Sequence, residues 1–196
     1  MSLRIIVKPS ELISLVEAAE FLRADFSSAE EDTIEAMITA ARQWCEEYLR
    51  RSIGVQTLEL TLAAFPSVGR QAIVLPPPII SVTSLKYLDP DGVEQTLVKD
   101  TDFYEALDSE PGELIPVGAW PATLGTADSV RVRFQAGYSA AGVPTGTIEL
   151  PQTIKIAMLL QISDLYENRD AQVVQPLTAN PTLERLLSQY RLEQGI

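Results

Sequence analysis

The sequence predicts an α+β protein: a helical core of about four helices with a β-rich insertion between the second and third main helices. Three observations carry this. Apolar residues recur every three to four positions over residues 28–54 and again over 151–168. Between Val55 and Tyr138 the period drops to two, with proline and glycine between the runs. A last short apolar stripe at helical spacing then closes the chain. The implied division is 1–54 for the N-terminal helical part of the core, 55–148 for the insertion and 149–196 for the C-terminal helical part.

Residues 1–10 show no periodicity and read as an extended arm. Ser14 followed by Glu17 forms a capping box, and Leu15, Ala18, Ala19 and Leu22 make a short helix ending near "RAD". Ser28 and Glu31 form a second box. Behind it Ile34, Met37, Ile38, Ala41, Trp44, Cys45, Tyr48 and Leu49 line one face of a helix roughly 35 Å long. Arg50 and Arg51 suit its C-terminal dipole, and Gly54 can supply a left-handed closing residue.

"VQTLELTLAAF" and "AIVL" read as strands. Pro76, Pro77 and Pro78 cannot donate ladder hydrogen bonds, and each pins φ near −65°, so they mark a kink between strands. "IISVTSLKYL" alternates, "DPDG" turns, and "VEQTLV" returns as the hairpin partner. "FYEA", "ELIP" and "VRVRFQAGY" are further strands. Pro151 opens a helix that is apolar on most sides through Ile154, Ile156, Ala157, Met158, Leu159, Leu160, Ile162, Leu165 and Tyr166, which places it centrally. After the linker "AQVVQPLTANP", Asn180 caps a final helix with Leu183, Leu186, Leu187 and Tyr190 on its apolar stripe.

At 196 residues, with 46% hydrophobic and 21% charged residues, the chain has globular composition and can bury roughly 70% of its unfolded surface. No apolar run reaches the ~18 residues of a membrane span, and the N-terminus lacks a signal-peptide pattern. The expectation is a soluble, intracellular protein. Histidine is absent and Cys45 is the sole cysteine, which removes the commonest general base, metal knuckles, disulfides and Ser–His or Cys–His pairs. Cys45 lies on the buried stripe and reads as a small core hydrophobe.

The remaining chemistry rests on carboxylates, lysines and tyrosines. "DPDG" lacks the spacing and distal Glu of a calcium loop, and no phosphate-cradling glycine loop is present. Asp164 and Glu167 near Arg169 read as a surface ion network. The net charge of −12 argues against a phosphate-backbone binder. Asp89, Asp91, Glu94, Asp100, Asp102, Glu105, Asp108, Glu110 and Glu113 cluster in residues 89–113 with Lys99 as the one base. That cluster reads either as a solvated face, or as a surface that meets a basic partner or repels passing DNA. Arg131 and Arg133 share one strand face, for solvation or for an acidic partner.

Taken as an ordered set, "ITAARQWCEEYLRRSI", "LPPPIISVTSLKYLDPDG", "VRFQAGY", "LPQTIKIAMLLQISDLYENRD" and "LLSQYRL" resemble the head–tail connector (adaptor, head-completion) proteins of long-tailed bacteriophages, prophages and gene transfer agents, in a branch with a β-rich insertion. The similarity runs from about Leu15 to Leu192. It implies a homo-oligomeric ring, typically twelvefold and in many members formed only on its partner. The ring sits below the portal, extends the channel through which double-stranded DNA passes without specific binding, and docks the next connector or tail protein. It implies no enzymatic activity, no cofactor and no membrane, and places the protein at the head–tail junction of a virion after synthesis in the bacterial cytoplasm. Subunit or partner contacts would fall on Pro76, Pro77, Pro78, Tyr87, Asp89, Asp91, Arg131, Arg133, Leu183, Leu187, Tyr190 and Arg191, with residues 170–196 engaging the portal. The prolines would hold the hairpin outward, and the linker would order on assembly. Another virion protein, such as a tail completion or minor capsid component, stays open. So does a carboxylate-dependent hydrolase, which would show a concave pocket with a carboxyl of raised pKa.

Overall fold

The structure, a computed structural model, describes residues 1–23, 28–67, 71–139, 148–168 and 181–192. The chain runs β1 (Ser2–Val7), α1 (Leu15–Leu22), α2 (Ser28–Leu49), β2 (Gln56–Leu62), β3 (Ile73–Leu75), β4 (Ile79–Leu88), β5 (Glu94–Leu97), β6 (Phe103–Ala106), β7 (Gly112–Pro116), β8 (Val130–Ala136), α3 (Gln152–Glu167) and α4 (Pro181–Leu187), ending in a 3-10 turn at Ser188–Tyr190. This is the α+β class expected, with seven of the strands falling between α2 and α3.

In the helical part, Ser14 caps α1 by accepting the Glu17 N–H at 3.2 Å, and Arg23 closes it at φ 53°. The stripe on α2 buries Ile34, Ile38, Ala41, Cys45 and Leu49. Against it pack Ile154, Ala157, Met158 and Ile162 of α3 and Leu183 and Leu187 of α4. Trp44 and Tyr48 stack at the margin, ring centroids 5.6 Å apart. The second capping box, the Asn180 cap and most of the 171–181 linker lie outside the described residues or side chains.

Gly54 does not take the left-handed position expected of it. Arg50 does, at φ 57°, four residues earlier. Gly54 instead lets two backbones meet: a Cβ there would stand 2.1 Å from the Ser10 carbonyl oxygen. Gly137, at φ 127°, approaches Gly54 from the other side, where a Cβ would lie 2.2 Å from the Gly54 oxygen.

The β part has its own core between two antiparallel sheets, five strands in the order β1-β2-β8-β4-β5 and three in the order β3-β7-β6. Val130, Val132 and Phe134 of β8 point into this core while Arg131 and Arg133 point out, as their alternation predicts. The hairpin is also as expected: Gly92 at φ 81° turns the chain, and β5 returns along β4 with Lys86 opposite Thr96. Residues 2–7 are extended as expected, but they form a paired strand and not a free arm, running antiparallel to β2 from Ser2 opposite Thr61 to Val7 opposite Thr57.

The three prolines carry the chain from the three-stranded sheet into the five-stranded one, and all three are buried. The Pro78 carbonyl accepts the Gly137 N–H at 2.9 Å, and the Pro77 carbonyl accepts the Ser52 N–H at 3.3 Å. The proline carbonyls thus bond to the end of β8 and to the segment leaving α2.

The contacts around Gly54 set a test of this packing. Gly54→Ala should lower the urea unfolding midpoint by the equivalent of about 2 kcal/mol, since backbone atoms on both sides must shift. Gly118→Ala, where a Cβ meets nothing within 4 Å, should leave the midpoint unchanged.

Candidate functional site

Three features stand out: a polar seam between the two cores, a charged outer face on the five-stranded sheet, and an apolar groove beneath its free edge.

At the seam, Glu46 near the C-terminal end of α2 turns its carboxylate toward the departing chain. Its Oε1 accepts the Ile53 N–H at 2.9 Å and Gln56 Nε2 at 3.3 Å, and its Oε2 accepts Arg42 Nη1 at 2.6 Å. Arg42 is buried and also donates through Nε to both oxygens of Glu11, at 3.1 Å each. Burial pushes the Glu46 carboxyl above its usual range, against the lowering effect of the Ile53 N–H and Arg42. Two residues beyond the helix end, Arg51 donates Nη2 to Glu110 at 2.7 Å and Nε to the Tyr190 carbonyl. One guanidinium therefore joins α2, the insertion and the C-terminal turn.

The outer face of the sheet is a charge ladder. Glu59 on β2 accepts Arg4 of β1 at 2.7 Å and Arg133 of β8 at 2.8 Å. Its side chain is only 9% exposed. The hydrogen bond from Arg133, opposed by partial burial and reinforced by Arg4, holds the Glu59 carboxyl below its usual range. Further along, Arg131 faces Asp128 at 3.3 Å and Glu94 at 3.6 Å, and Glu94 also meets Lys86 at 2.7 Å. Arg131 and Arg133 therefore share one face, and each is ion-paired within the chain.

Asp89 organises the hairpin. Its Oδ1 accepts the N–H groups of Asp91 (3.1 Å) and Val93 (2.9 Å), and its Oδ2 accepts Gln95 Nε2 at 2.9 Å. Gln95 first, and then the Val93 N–H, hold its carboxyl below the usual range. Asp91 is exposed at the tip. Tyr87 is half-buried and meets Phe65 edge-on, centroids 5.6 Å apart. Phe65 stacks on Trp120 at 4.6 Å. Of the C-terminal candidates, Leu183 and Leu187 are buried in the helical core, Tyr190 is half-buried, and Arg191 is exposed with its guanidinium 4.9 Å from the Tyr48 ring centre. The structure thus spreads the expected contact residues over the hairpin, the sheet face and the C-terminal turn; it does not gather them.

The groove, about 400 Å³, is lined by residues of β1 and β2, of the end of α2 and the segment leaving it, and by Pro76 and Leu192. Leu3 and Ile5 form one wall, Leu58 and Leu60 the floor, and Pro76 and Leu192 flank it. Glu46 is its acidic member and has the raised pKa that a carboxylate-dependent enzyme would need. Both its oxygens are already committed to Ile53, Gln56 and Arg42, which is the bonding of a structural staple. Cys45 is buried and its thiol is pushed up to about 12, chiefly by burial. Among the described residues, no group of three acidic or cysteine side chains is placed to hold a metal ion, and no helix is long and apolar enough to cross a membrane.

Arg4, Glu59 and Arg51 went unmarked as contact residues in the sequence. Their one visible signal is the contrast between residues 1–10, with Arg4 and Lys8 and no acid, and the acidic run at 89–113.

The fold has counterparts among solved structures. A chain in the neck of an empty gene transfer agent (GTA) particle, computed with C6 symmetry, superimposes with a TM-score of 0.79 at 20% identity, over 100% of this chain and 98% of that one. A chain of the virion of a native GTA particle gives 0.77 at 21% identity with the same coverage. A chain in the neck of a native GTA particle, computed with C12 symmetry, gives 0.72 at 21%, again over 100% and 98%. No protein-family model matches the chain, and the curated proteins contain no significant match.

The Glu59 ladder yields a pH test. A carboxyl held low in the folded state adds stability that is fully present above its unfolded pKa of about 4.3 and is lost as pH falls through the folded value. Glu59→Gln should cost about 1–3 kcal/mol at pH 7. It should also flatten the acid-side fall in thermal midpoint between pH 5 and 3 relative to wild type.

Proposed function

We propose that this chain is a structural protein of the neck of a phage-like particle, a head–tail connector that forms a ring below the portal. The observation that carries the reading is the end-to-end correspondence of fold with neck and virion chains of GTA particles, in which neither chain leaves an appreciable part unmatched. The symmetries of those necks support a homo-oligomeric ring, and twelve copies is the number proposed.

The physical features fit a conduit. A net charge of −12 keeps the chain from adhering to DNA that passes through the ring. The charged groups on the sheet face are ion-paired within the chain, which favours a structural role for that face. In this reading residues 1–54 and 149–196 form the core, residues 55–148 form the insertion that meets a neighbour or the next tail component, and the C-terminal residues dock on the portal. The buried prolines act from inside the insertion by fixing how its two sheets join.

Native mass spectrometry across a concentration series, with and without the portal protein encoded alongside, tests the proposal. The expected result is a closed ring, alone or on the portal. A monomer that ignores the portal overturns it, and binding to a tail-tube protein instead would mark a tail completion component.

A further inference from the structure

The five-stranded sheet has two free edges, β1 and β5, and they carry opposite charge. β1 is six residues long and exposed along its whole length. It carries Arg4 in the middle, has Lys8 just beyond its C-terminal end, and has no acid in residues 1–10. β5 has Glu94, Gln95 and Thr96 exposed, with Asp89 and Asp91 before it and Asp100 and Asp102 after it. The one base within residues 89–102, Lys99, is held by Glu105 at 2.7 Å.

From this we propose that β1 of one copy pairs with β5 of the next, edge to edge, so that the sheets join head to tail around the ring. The inference rests on the ring reading above and adds the surface that closes it. Strand direction supports it. Every neighbour in the sheet is antiparallel, so β1 and β5 point the same way within one chain. Rotation about a ring axis preserves direction along that axis, so β5 meets the next copy's β1 in parallel. Parallel alignment sets Lys8, after β1, beside Asp100 and Asp102, after β5.

The faces agree as well. Arg4 lies on the polar face of the sheet, as do Glu94 and Lys86. Leu3 and Ile5 lie on the apolar face over the groove, and Leu97 packs toward the β core. A joint sheet would continue both faces and bring the neighbour's strand beside the groove's open wall. Pairing is confined to a short stretch, because the Val93 and Val98 N–H groups are already taken by Asp89 and Asp102. Short parallel pairing contributes little by itself. The contact therefore depends on the charges that flank it, and that is consistent with a ring that assembles only when other contacts add to it.

Zero-length carbodiimide coupling distinguishes this arrangement. Within one chain the two edges are roughly 19 Å apart at the usual strand spacing, so an amide between them forms only between copies. With isotopically labelled and unlabelled chains mixed before assembly, peptide mass spectrometry should show mixed-isotope links from Lys8 to Asp100 or Asp102. Lys8→Glu, and separately Asp100→Asn, which keeps a residue suited to φ 64°, should each raise the concentration for half-assembly at least tenfold while leaving the circular dichroism spectrum unchanged. Rings that form without those links, and that tolerate both variants, overturn the edge assignment and leave the ring reading intact. A chain that forms no ring alone or with the portal overturns both.

Discussion

Two hydrophobic cores in one chain separate unless something fixes the strand of backbone between them, and here that constraint is the Glu46 carboxylate. It reaches from the last turns of α2 to the Ile53 N–H and the Gln56 amide, seven and ten residues further on. Burying a carboxyl is costly, and three donors offset the cost in place of water. The turn it fixes brings Gly54 under Ser10 and Gly137 against Gly54, contacts that admit no side chain. From there Tyr138 donates its N–H to the Ile53 carbonyl at 2.7 Å and places its own ring in the helical core. Strand β8 enters the middle of its sheet from that anchor, and β2 and β4 pair on either side of it.

Charge is distributed in the same economical way. The face of the five-stranded sheet is crossed by Arg4, Glu59, Arg133, Arg131, Glu94 and Lys86, paired with one another across its strands. Pairs of this kind contribute modestly when exposed, and the partly enclosed Glu59 is the strongest of them because two guanidinium groups converge on it. The consequence for interaction is geometric. With the charges of the face paired internally, further acid gathers around β5 and base around β1.

Much of the architecture was legible because burial imposes a period. The stripe on α2 and the alternation on β8 each have one face in a core, and the "DPDG" turn needs its glycine at positive φ. Residues 1–10 were less legible for the complementary reason: β1 is exposed along its length, so no alternation marks it as a strand. One partner of β2 is β8, from Gln56 opposite Ala136 to Leu62 opposite Val130, and local pattern holds no trace of such a distant pairing. Gly54 looked like a helix terminator because Arg50, at a position that usually favours glycine, had taken that role. The prolines were legible as a break between strands, but their burial was not, since proline in a run of apolar residues reads the same on a surface or inside. The candidate contact residues fared unevenly for a related cause. Residue type singles out Arg131 and Arg133 as available charges, whereas their partners come from strands distant in sequence.

The absence of histidine has a consequence for how such a surface behaves. Between pH 5 and 8 the side chain that ordinarily changes charge is histidine, and this chain has none. Cys45 is buried with its thiol pushed up to about 12, and Asp89 and Glu94 at the β5 edge are both held below the usual carboxylate range, led by their bonds to Gln95 and Lys86 respectively. Asp89 and Glu94 at the β5 edge therefore stay charged across the physiological range. Ionic strength acts on them differently, because exposed charges are screened over roughly 8 Å at physiological salt. A contact built from them is governed by salt and by how many copies are held close together.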